Sequence, residues 1–67
     1  MNKVGTWHGF EVYGVTKKEF EGKSTWDHMS LFLIDNKYLV GFKNDFPEII
    51  GQLEPDGTVF EYARSTP

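Results

Sequence analysis

The pattern of hydrophobic and polar positions is most strand-like between Trp26 and Lys43. Two runs rich in β-branched and aromatic residues, 26–34 and 37–43, flank Asp35-Asn36, a pair that tolerates a left-handed backbone and so suits a tight hairpin turn. With these two residues as the loop, Ile34 faces Lys37, Leu33 faces Tyr38, Leu31 faces Val40 and Met29 faces Phe42. One face then carries Met29, Leu31, Leu33, Tyr38, Val40 and Phe42. The other carries His28, Ser30, Phe32, Ile34, Lys37, Leu39, Gly41 and Lys43. A loop longer by one residue would mix the two sets, because a one-residue slip moves side chains across the sheet. The two-residue register is preferred because it leaves one face clean.

On either side of this hairpin the pattern is less regular. Trp7, Phe10, Val12, Tyr13 and Val15 favour a strand near 6–15, in which Gly9 and Gly14 mark a bulge or a place where a large ring lies across the backbone. Lys17 to Ser24 reads as a charged connection, with Phe20 as the anchor that tucks it onto the core. Apolar residues at 46, 49, 50 and 53 follow the i, i+3, i+4, i+7 spacing of one helix face. Asp45 and Glu48 stand at capping-box distance, and Pro47 is tolerated in a first turn. This predicts a short helix over 46–53. Its rival is a strand from Glu48 to Glu54, since Gly51 and two adjacent isoleucines disfavour helix. Glu54-Pro55-Asp56-Gly57 is a turn signal, and a last strand is expected near 58–64.

The predicted fold class is therefore α+β: a small antiparallel sheet in β-β-β-α-β order, with strands near 6–15, 26–34, 37–43 and 58–64 and one short helix. The alternative is an all-β five-stranded SH3-like barrel in which 48–54 is a strand, an analogy of element order that carries no function. The expected core is Leu31, Leu33, Val40, Phe42, Ile49, Ile50 and Leu53.

Length limits this picture. Sixty-seven residues make one domain, 1–67, which buries only roughly 60% of its unfolded surface. With no cysteine there is no disulfide and no thiolate zinc site, and a reducing cytoplasm is the expected setting. The mass for a core has to come from aromatic residues, 16% of the chain. The formal charge of −3 and the lone Arg64 argue against nucleic-acid binding, which needs clustered Lys and Arg. No apolar run reaches the length of a membrane span, and the N-terminus shows no apolar signal segment.

Phosphate-binding, nucleophile-elbow and zinc signatures are missing from the sequence. Ser30 and His28 share a predicted sheet face near Lys43, but Asp27 falls on the opposite face and leaves His28 without an orienting acid. Glu19 and Glu21 sit in the charged connection, where solvation outweighs acid–base work. His8, His28 and Glu61 would form a two-histidine, one-carboxylate metal set only if their strands paired. Neither a catalytic residue nor a cofactor is therefore expected. The remaining feature is the second hairpin face, which nothing obvious covers; an uncovered apolar patch marks a partner site. The expected function is a non-catalytic module, such as a small inhibitor or adaptor, that binds another protein. Its contact residues would be Trp26, Phe32, Ile34 and Leu39, with His28 and Lys43 at the rim. The alternative is a small metal-binding protein or enzyme using His8 and His28. Free sheet edges on so short a chain also lead one to expect a homodimer.

Overall fold

Three pairs of left-handed residues reverse the chain: His8-Gly9 (φ 50 and 83), Asp35-Asn36 (φ 52 and 55) and Asn44-Asp45 (φ 51 and 69). Consecutive positive φ angles are what a two-residue turn needs to match the twist of its flanking strands. In the computed structural model, which describes residues 2–23 and 25–62, these turns generate most of the sheet. The first joins β1 (Asn2–Trp7) to β2 (Phe10–Val15), the second joins β3 (Leu31–Ile34) to β4 (Tyr38–Lys43), and the third joins β4 to β5 (Phe46–Leu53). A fourth turn, closed by Glu54 N–H on the Thr58 carbonyl (2.8 Å) and carrying Gly57 at φ 90, leads to β6 (Val59–Glu61).

The six strands lie in sequence order in one sheet that curls into a half-barrel, with a single short helix, α1 (Lys17–Gly22), among the described residues. A small sheet with one helix agrees with the α+β expectation, and a sheet-dominated chain agrees equally with the all-β alternative. Several details differ from the sequence reading. The expected strand near 6–15 is two strands, because His8-Gly9 is a turn and not a bulge. The sheet is not wholly antiparallel: β2 and β3 run parallel, from Val12 beside Leu31 to Val15 beside Ile34. A parallel neighbour requires a crossover of a dozen or more residues, which residues 16–30 supply.

The helix sits in that crossover and not at 46–53. Thr16 accepts the Glu19 N–H on its side chain (3.1 Å), and the Glu19 carboxylate accepts the Thr16 N–H (3.1 Å), a complete capping box. Thr16-Lys17-Lys18-Glu19 carries this signature openly, within and just before the stretch read as a connection. Residues 46–53 instead form the longest strand. Asn44 and Asp45 adopt left-handed angles, so Asp45 belongs to a hairpin turn and caps no helix. Pro47 falls in the half of β5 that β6 does not reach, an edge where proline is tolerated. The predicted helix face dissolves accordingly: Phe46 is 74% exposed and Ile49 50%.

The hairpin register is also one residue off. Lys37 N–H closes the turn on the Ile34 carbonyl (3.0 Å), but the ladder resumes one position late: Ile34 faces Tyr38, Leu33 faces Leu39 and Phe32 faces Val40. Lys37 is the extra residue, its carbonyl turned to accept the Leu53 N–H (2.7 Å). The slip redistributes the side chains between faces. On the inner face Val12, Leu31 and Leu39 form a buried cluster flanked by Trp7, Leu33, Ile50 and Val59. On the outer face Phe32, 1% exposed, lies at the centre of an aromatic group with Tyr13, Phe20, Trp26 and Phe42, ring centroids 4.7 to 6.2 Å from it. The single expected core is thus two, one on each face, and Phe20 is the anchor that seats α1 on the outer one.

Candidate functional site

The inner face is only partly filled. Every strand contributes to an open groove of about 410 Å³ between the two edge strands, lined by Val4 and Trp7 of β1, Val12, Leu33, Leu39, Leu53 and Val59, with Thr6, Asn36 and the turn at Gly57 around it. The lining holds no ionisable side chain, so the groove offers apolar area and a few hydrogen-bonding groups but no acid, base or nucleophile beyond the Thr6 hydroxyl. Val4, 53% exposed, stands at its open side.

The outer face carries a second depression, also of about 410 Å³, where α1, the segment after it and the β4–β5 turn converge. Phe20 stacks on Trp26 at 4.9 Å, and the Trp26 indole N–H donates to the Phe20 carbonyl (3.3 Å). His28 stacks on Phe42 at 4.4 Å, with Nδ1 3.0 Å from a carboxylate oxygen of Asp45. Pro47, Glu21 and Lys23 complete the lining, and the Lys23 ammonium lies over the Trp26 ring, 4.6 Å from its centroid.

The segment that presents Trp26 and His28 is shaped by Asp27. One Asp27 oxygen accepts the Met29 N–H (2.9 Å), the other accepts the buried Ser30 hydroxyl (2.9 Å), and the Asp27 carbonyl accepts the Ser30 N–H (3.2 Å). These donors, first the Met29 N–H and then the Ser30 hydroxyl, hold the Asp27 carboxyl below the usual carboxylate range. Residues 26–30 therefore form a turn and not the start of a strand. Ser30 is bound to Asp27, and His28 to Asp45, so no serine–histidine relay forms between them.

The six predicted contact residues do not make one surface. Phe32 and Leu39, 1% and 2% exposed, are core residues of opposite faces. Ile34 is half-buried at the end of β3, and Lys43 is exposed at the far end of β4. Only Trp26 and His28 come together, in the outer depression. The register slip carries Leu39 to the inner face, and Phe20, Trp26 and Phe42 cover Phe32 on the outer one. Sequence reasoning missed Phe42, Pro47 and Lys23 as their companions, and Val4, Trp7, Val12 and Val59 as groove residues. The Thr16–Glu19 capping box was the available signal, since a helix there brings Phe20 onto the sheet.

The residues of the metal alternative lie on different elements. His8 lies in the β1–β2 turn against Trp7 (4.1 Å), His28 lies before β3 against Phe42, and Glu61 lies on β6 beside Gly51. Among the described residues no three such ligands group to hold a metal ion, and no helix is long and apolar enough to cross a membrane. The fold and its surfaces define a small curled β-sheet domain with an apolar groove on one side and an aromatic depression on the other. No family model, curated protein or solved structure matches the chain.

Proposed function

We propose that the protein is a non-catalytic binding module, of the inhibitor or adaptor kind, whose inner groove takes an extended apolar segment of a partner protein. The observation that carries this reading is the groove itself: a concave apolar surface, contributed by strands across the whole sheet and free of ionisable lining. Apolar area without convergent titratable groups favours binding over chemistry. The two strands at the edges of the sheet among the described residues, β1 and β6, flank the opening, and a sheet edge suits an incoming strand. A cytoplasmic location belongs to the same reading, on the strength of the cysteine-free sequence alone.

The test is affinity capture from the source cell with the wild type, with Val4→Asp in the groove, and with Phe46→Asp outside it. Both substituted side chains are exposed, so the fold is retained. The reading expects Val4→Asp to lose a partner that Phe46→Asp keeps. Equal capture by all three proteins overturns it. If sedimentation shows a dimer that Val4→Asp dissociates, the occupant of the groove is a second copy of this chain.

A further inference from the structure

We infer that the outer depression is a lysine-binding site, which takes the side-chain ammonium of a lysine on a partner protein in place of the chain's own Lys23, which rests on its Trp26 wall. Three observations meet there. The walls are aromatic: Trp26, Phe20, Phe42 and His28, with Pro47 beside them. Such ring faces attract a cation through their quadrupole, tryptophan most strongly. Two carboxylates, Glu21 and Asp45, also line the depression and accept the N–H donors that a primary ammonium carries and a quaternary one lacks. Finally, an ammonium already lies against one of these rings: Lys23 Nζ is 4.6 Å from the Trp26 centroid. Lys23 is the cap residue that follows α1, exposed and on a flexible stem, and it makes no ion pair among the described residues. An incoming lysine displaces it at little cost. With Lys23 withdrawn, the lining keeps the Glu21 and Asp45 carboxylates and no lysine or arginine, so the electrostatic balance favours a cation from outside. The site lies on the opposite side of the sheet from the groove and does not depend on the groove's role.

The two tryptophans make the test direct, because Trp7 lines the groove and Trp26 the depression. The probe is N-acetyl-lysine methylamide, titrated against the whole chain while both indole N–H resonances are followed by NMR; the norleucine analogue is the uncharged control. The expected result is a saturable shift of Trp26 with the lysine probe only, and none of Trp7. Lys23→Ala should tighten binding about two- to fivefold, the weight of one exposed cation–π contact. Glu21→Gln combined with Asp45→Asn should weaken it, and neither exposed substitution threatens the fold. If neither wild type nor Lys23→Ala responds, or if the norleucine analogue shifts Trp26 as far, the lysine site is overturned whatever the groove binds. A response at Trp7 alone has the same consequence and leaves the groove reading standing.

Discussion

Phe32 meets Trp26 edge to face, ring centroids 4.7 Å apart, on the opposite side of the sheet from Leu39. The first is 1% exposed and the second residue of interest, Leu39, 2%. Each is thus the centre of its own small core, and neither core is spare. Phe32→Ala is expected to cost about 3–5 kcal/mol and Leu39→Ala about 2–5 kcal/mol. Either loss is comparable to the whole stability of a domain this size. Urea unfolding of both variants checks this. A loss below about 0.5 kcal/mol for either, typical of a surface site, would show that its face is not a core.

Two glycines should respond to alanine with opposite signs. A Cβ on Gly51 would lie 2.6 Å from the Phe60 carbonyl oxygen, a backbone atom of the neighbouring strand that has no room to give. Gly51→Ala therefore forces β5 and β6 apart and should cost about 1–3 kcal/mol. Gly22 ends α1 with nothing near its missing side chain. Gly22→Ala should stabilise by about 0.4–1 kcal/mol by narrowing the unfolded ensemble. Melting temperatures that move the same way for both would contradict the placement of one of them.

The sequence was most legible where a turn is written in residues of one type. Asp35-Asn36 and Glu54-Pro55-Asp56-Gly57 were both readable, and both are turns. His8-Gly9 and Asn44-Asp45 use the same left-handed geometry, but in the sequence they read equally as part of a strand and as a helix cap. For 46–53 the apolar spacing fits a helix, yet Ile49 and Ile50 lean towards strand, Gly51 disfavours helix, and the pairing with β4 decides it. The candidate site suffered most from the register. One extra residue, Lys37, is absorbed because its carbonyl reaches Leu53 of β5, a contact between segments that no local pattern records. From that residue on, every assignment of a hairpin side chain to a face changes. Trp26 and His28 survived as neighbours because their position depends on Asp27 and the aromatic cluster and not on the ladder.

The capping box should prove to hold the outer core together. Thr16 and Glu19 start α1, and α1 brings Phe20 against Trp26, Phe32 and Phe42. A helix of six residues has little stability of its own, so its start signal matters more than in a long one. Thr16→Ala should cost about 0.5–2 kcal/mol. Thr16→Ser, which keeps the oxygen acceptor, should recover most of the loss. If the serine variant is as unstable as the alanine variant, the contribution of Thr16 is packing and not capping.

Acid should weaken the fold through three exposed carboxylates. Asp27 is held low by the Met29 N–H and the Ser30 hydroxyl, Glu19 by the N–H and hydroxyl of Thr16, and Asp56 by the hydroxyl and N–H of Thr58. In each case the folded chain binds its proton less readily than the unfolded chain. Their contribution is therefore complete above the ordinary carboxylate range and is lost as the pH falls through that range towards the depressed folded values. The leading causes are hydrogen bonds and not ion pairs, so moderate salt, which screens exposed charges, should change the profile little. A series of melting temperatures from neutral to acid pH, with and without salt, reads this directly. Asp27→Asn offers the sharpest comparison, because it removes the titrating proton at the residue that shapes the Trp26–Ser30 turn. The variant should start below the wild type at neutral pH, fall less steeply, and approach it at low pH. Two parallel profiles would mean that Asp27 contributes geometry alone, and that the acid sensitivity resides in Glu19 and Asp56.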